Sequence, residues 1–163
     1  MKIETYRDQE WLENLLADIW YNHFIDVEQI YEVKIKYGRK AKQRLGSISL
    51  DRDDPNISVI TINPIYQDLE VPEYIVKATV VHELTHYAHG FNSPHGQKHR
   101  HPHSGGVIRK EFAERDLEDL YLQQRKWLKE NWPRIVEKHF GPQLPKVRYR
   151  GRTVRSPWWF REI

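Results

Sequence analysis

Apolar residues recur at spacings of three and four across residues 8–24, at Trp11, Leu15, Leu16, Ile19, Trp20 and Phe24. That stripe predicts an amphipathic helix, with Thr5 or Asp8 placed to cap it. The period then shortens. Segments 31–37, 45–50 and 57–62 are short and rich in β-branched and apolar residues, and polar stretches separate them. Asp54-Pro55-Asn56 supplies tight-turn chemistry between the last two, so the economical reading is a small antiparallel three-stranded sheet or meander.

Helical spacing returns after Val71-Pro72-Glu73, where Pro72 sits in a first turn that does not need its missing N–H. This second helix is expected to run to about His89 and to stop at Gly90, a residue suited to the left-handed conformation. Residues 91–106 are crowded with His, Pro, Gly and Ser and predict a loop. A third and longest helix is expected from about 104–107 through Phe112, Leu117, Leu120 and Tyr121 toward Leu128. Trp132-Pro133 should kink or end it, leaving a short final helix through Ile135, Val136 and Phe140. Helix, sheet, helix, loop, helix is an α+β order, and residues 1–145 make one domain.

A chain of 163 residues with 39% hydrophobic content can bury a core, and 30% charged residues give it a solvated surface. No run approaches the roughly 20 apolar residues of a membrane span, and Met1-Lys2-Ile3-Glu4-Thr5 lacks a signal-peptide core. A soluble, cytoplasmic protein is expected. There is no cysteine, which excludes disulfides, thiol nucleophiles and Cys-ligated zinc, so any metal must be held by nitrogen and oxygen. The net charge of +3 hides an asymmetry: Lys146, Arg148, Arg150, Arg152, Arg155 and Arg161 face only Glu162, so the tail 146–163 carries +5 and the rest −2.

The candidate chemistry lies in Val80-Val81-His82-Glu83-Leu84-Thr85-His86-Tyr87. Residues four apart share a helix face, so His82 and His86 can present two imidazoles to one metal with Glu83 beside them as general base. A catalytic zinc takes three protein ligands and a water. The third ligand has several candidates, because seven of the nine histidines lie between positions 82 and 103. His103 is the first choice, at the junction of loop and third helix beside Gly105-Gly106. Glu114 is the rival from another ligand class, and His95, His99 and His101 are within reach. His89, near the helix end, is better suited to a substrate or supporting contact than to ligation.

The order and local pattern of residues 10–130 resemble the SprT-like zinc metalloprotease domain, the Spartan-type family. The resemblance rests on the aromatic first helix, on Arg44-Leu45-Gly46-Ser47-Ile48, on Ile60-Thr61-Ile62-Asn63-Pro64 and on the His-Glu-x-x-His helix. It implies a zincin-like fold, a Zn2+ cofactor, and a third zinc ligand that is a His near the start of the next helix, which maps onto His103 or His95. It further implies a metalloendopeptidase acting on protein or peptide substrates, DNA-associated proteins among them. Zinc would activate water and Glu83 would take its proton. The family's Cys-ligated DNA-binding ribbon has no counterpart here. The basic tail with Trp158-Trp159-Phe160 is the substitute for contacting DNA, by phosphate pairing and base stacking. The alternative expectation is a nucleic-acid-binding protein whose zinc site is structural or vestigial. A tail lying in the cleft as an inhibitor is a third.

Overall fold

The computed structural model of the chain describes residues 6–143; the basic tail singled out above lies outside the described residues. Four helices and three strands follow in the order α1 (Gln9–His23), β1 (Val33–Tyr37), β2 (Gly46–Leu50), β3 (Ser58–Ile62), α2 (Glu73–Ala88), α3 (Val107–Glu114) and α4 (Glu118–Phe140). The α+β expectation is met. No helix among the described residues is long and apolar enough to cross a membrane.

Asp8 caps α1, its carboxylate accepting from Trp11 N at 2.9 Å, and the helix buries Leu12, Leu16 and Ile19. The sheet departs from the expected antiparallel arrangement. Its order is β1-β3-β2, with β2 antiparallel to β3 but β1 parallel to it. Burial gives the reason. Four of the five β3 residues, Ser58, Val59, Ile60 and Ile62, are buried, whereas Lys34 and Lys36 alternate outward along β1 and Ser49 and Leu50 are exposed on β2. A strand apolar on both faces belongs in the centre, and the half-polar strands take the edges.

The C-terminal half also differs from the expected single helix followed by a break at Pro133. The break falls earlier, at 115–117. Leu117 N donates to Phe112 O at 2.7 Å and Asp116 N to Ala113 O at 3.2 Å, with Asp116 at φ 58. That is the 6→1, 5→2 pattern of a Schellman stop, here with Asp in the left-handed position that glycine usually fills. Conversely, α4 runs straight through Pro133. An interior proline costs about 3 kcal/mol. The burial of Trp132, Ile135 and Val136 around it offsets that cost, together with Trp132 Nε1 donating to Lys42 O at 2.8 Å and the edge contact of Trp132 with Tyr66.

The core is continuous: α2 lies at its centre, packed by the sheet, α1, α3 and α4. From Val80 to Ala88 every α2 residue is buried. A helix apolar all round is one enclosed all round, so polar side chains on it are held in a dry environment.

Candidate metal centre

Two of the dry polar side chains on α2 are His82 and His86, 3% and 6% exposed, one turn apart. Their Nε2 atoms are 3.0 Å apart. The third histidine arrives from outside the helix. After Gly90 the chain doubles back, with Lys98 N donating to His89 O at 2.9 Å. Gly90 has φ +82, and a Cβ there would meet Gly96 O at 2.5 Å, so only glycine permits this return. Residues 104–106 form a 3-10 turn in which Gly105 and Gly106 both have positive φ, and α3 follows. His103, immediately before that turn, places its Nε2 3.2 Å from that of His82.

His82, His86 and His103 thus form a group in which one ligand atom from each lies within 4.8 Å of the others. Bonds of 2.0–2.1 Å at tetrahedral angles set ligand nitrogens about 3.3 Å apart around zinc. The chemistry of the donors fits a cation as well as the spacing does. The Nε2 atom of His82 faces two other imidazole nitrogens, and a single proton bridges one such contact at a time, whereas one cation between the rings satisfies all three lone pairs. Burial, followed by the neighbouring imidazoles of His86 and His103, holds His82 well below its ordinary value. Burial and then His103 and His89 press His86 down to about 3. Both are therefore neutral with lone pairs available. Nδ1 of His86 is buried and finds no acceptor among the described residues.

Glu83 sits next to these ligands and is 5% exposed. Burial pushes its carboxyl up to about 8. A cation at the three nitrogens favours the carboxylate form and opposes that shift. Behind Glu83 stands Gly46, the first residue of β2: a Cβ at this position would lie 2.9 Å from Glu83 Oε1 and 2.8 Å from Thr79 Cγ2. The strand approaches the helix this closely because residue 46 has no side chain. Beneath them, Thr79 Oγ1 donates to Ile75 O, accepts from Gln124 Nε2 at 2.9 Å and meets Tyr66 Oη at 2.9 Å, joining α2 to α4 and to the turn after β3.

The other candidates are not brought to this group. Glu114 projects outward, 58% exposed, and pairs loosely with Lys110 at 3.9 Å. His95 bonds Glu28 O at 2.7 Å and packs on the Tyr87 ring, tying the loop to the segment before β1. The His99 ring stacks edge-on against His89, and His101 is exposed. His89 has the supporting role: its Nε2 donates to Glu111 Oε2 at 2.9 Å. Glu111 also accepts from Arg115 at 2.8 Å, and Arg115 reaches Asp26 at 2.7 Å and His23 O at 2.6 Å, lying 3.9 Å over the Phe24 ring. This chain fixes α3, and with it the root of His103, against α1 and α2. Glu111, which braces His89, and the contact of Gly46 with the Glu83 side chain are features of this region that pattern reading did not supply. The i,i+4 pair Glu111–Arg115 was visible in the sequence, but its long-range partners were not.

No protein-family model matches the chain, and neither a curated protein nor a solved structure matches it.

Proposed function

We propose that the chain is a zinc-dependent metalloendopeptidase of the SprT-like kind. One observation carries this reading: three imidazole nitrogens converge from a buried helix and a glycine-rich turn, with a desolvated carboxylate one residue along from the first of them. His82, His86 and His103 would hold the zinc, and His103, on the exposed side, leaves the approach open. Zinc bound there would supply Lewis acidity to a water molecule and to the scissile carbonyl. Glu83 accepts the water's proton as it attacks and returns it to the leaving amine. Gly46, having no side chain, leaves the space that this carboxylate occupies against β2. The extension to DNA-associated substrates is carried by the resemblance and by the composition of the tail 146–163.

The test is cleavage of a DNA-binding protein by zinc-loaded wild type beside Glu83→Gln, with and without single-stranded DNA. The variant is expected to retain zinc and lose about 10²–10⁴-fold in turnover. Stimulation by DNA supports the extension. If neither protein cuts while both hold zinc, the site is structural and the binding-only alternative replaces this reading.

A further inference from the structure

At the Gly46 end of β2 lies an open cavity of about 880 Å³, lined by Arg39, Lys40, Lys42, Arg44 and Arg52 and by no acidic residue. This is a concentration against the trend, because residues 6–143 hold 19 basic and 21 acidic residues. Three of the five cations, Arg39, Arg44 and Arg52, have no ion-pair or hydrogen-bond partner for their side chains among the described residues. Lys40 meets His139 Nδ1 at 3.2 Å, and Lys42 stands 5.4 Å over the Phe140 ring.

The loop between β1 and β2, which carries Arg39, Lys40, Lys42 and Arg44, is built rather than loose, and Arg52 joins them from the turn after β2. Gly38 N donates to Ile62 O, Asn63 Nδ2 donates to Ala41 O at 2.7 Å and to Arg44 O at 2.9 Å, Trp132 Nε1 donates to Lys42 O, and Leu45 is 3% exposed. The loop backbone is pinned from β3 and α4 while its charged side chains are exposed, so an anion would have side chains to order but not the loop itself.

The cavity also adjoins the site above. Gly46 turns toward Glu83, and alternation along the strand puts Ser47, with its partner Thr61, on the opposite face, where both line the cavity. Asn63 N donates to Leu45 O, so the ladder's alternation directs the N–H and C=O of Gly46 and Ile48 to the outer edge of β2. Asn92 Nδ2 occupies Ile48 O at 3.0 Å, while no described residue takes the outward N–H and C=O of Gly46. An extended polypeptide pairing there sends alternate side chains to the Glu83 face and to the cation-lined face.

We propose that this cavity binds acidic side chains of a polypeptide substrate, two residues apart, on the flank that passes Gly46. The inference rests on the peptidase reading. A peptide is favoured over nucleic acid because no aromatic side chain lines the cavity to stack a base.

The test titrates zinc-loaded, full-length Glu83→Gln protein with a fluorescent Glu-rich peptide, its Gln-for-Glu counterpart and a single-stranded oligonucleotide, at low and at physiological salt. The acidic peptide should bind about tenfold tighter than the neutral one, with the difference shrinking in salt. R39Q/R44Q/R52Q should abolish that preference with zinc content and melting temperature unchanged, and R39E/R44E should shift it to a Lys-rich peptide. Equal binding of the two peptides, or a preference that survives the triple variant, overturns the proposal. So does an oligonucleotide that displaces the acidic peptide and loses its own binding in the triple variant. Wild type separates the two readings: cleavage without acidic preference sinks the cavity assignment alone, whereas preference without cleavage sinks the peptidase reading and leaves an acidic-peptide site.

Discussion

At Gly46 a single missing side chain lets an edge strand lie against the proposed general base. A methyl group there meets Glu83 Oε1 and Thr79 Cγ2 at under 3 Å, and Thr79 cannot yield because its hydroxyl is fixed by Ile75 O, Tyr66 and Gln124. Gly46→Ala is therefore expected to displace the carboxylate and to destabilise the fold by about 1–3 kcal/mol. The three histidines lie elsewhere, so zinc stoichiometry should be unchanged while turnover falls. Metal analysis, a melting curve and a rate on the same preparation check this. An unaltered rate would show that Glu83 is not held by β2. Of the site itself, His82, Glu83 and His86 were legible because helix periodicity alone puts them together. Gly46 was not, since its contact spans 37 positions and depends on which face of β2 meets α2.

At the scale of elements, α3 is set by two devices that the sequence disguised. The first is the stop at Asp116. A non-glycine residue in the left-handed region costs about 1 kcal/mol, so Asp116→Gly is expected to stabilise the protein by that order, read as a raised denaturation midpoint. The second is the chain His89–Glu111–Arg115–Asp26, buried up to its exposed end at Asp26. His89 and then Arg115 outweigh burial and hold the Glu111 carboxyl down to about 2. A carboxyl depressed from its ordinary value near 4.5 contributes stability that is complete above that value and is lost as pH falls toward 2. Glu111→Gln should lower stability by about 2–4 kcal/mol at neutral pH and flatten the decline between pH 5 and 2. Urea midpoints across that range decide it. Unchanged acid sensitivity in the variant would remove Glu111 as its source.

The same elements show why periodicity misjudged this half of the chain. Ala113, Leu117, Leu120 and Tyr121 keep spacings of three and four across the break, and the Schellman turn returns Leu117 to the core that Phe112 already fills. Pro133 looked like a terminator because the residues holding α4 together around it, Tyr66 and Lys42, are distant in sequence. For the sheet, the strands themselves were readable, but their order depended on β3 being buried on both sides. That is a property of the packed molecule.

For the whole molecule, the question is how far the fold depends on metal. The hydrophobic core runs unbroken from Leu12 to Val136, and His82 and His86 are buried beside it on α2. That helix is enclosed on all sides, and the third histidine is on an exposed turn anchored by α3. Removal of metal is therefore expected to leave the helices and sheet intact and to release only the linkage energy. At free zinc about 1,000 times its dissociation constant that energy is about 4 kcal/mol. For a chain of this size it corresponds to a melting shift of about 8–16 °C. Chelation should lower the transition by this order without changing the far-ultraviolet dichroism, and re-addition of zinc should restore it. His103→Ala should abolish most of the shift, because the two α2 histidines alone make an incomplete ligand set. A chelated protein that loses its helices would mean that α2 is held by the metal and not by its packing. A transition indifferent to zinc would remove the metal centre, and with it the peptidase reading.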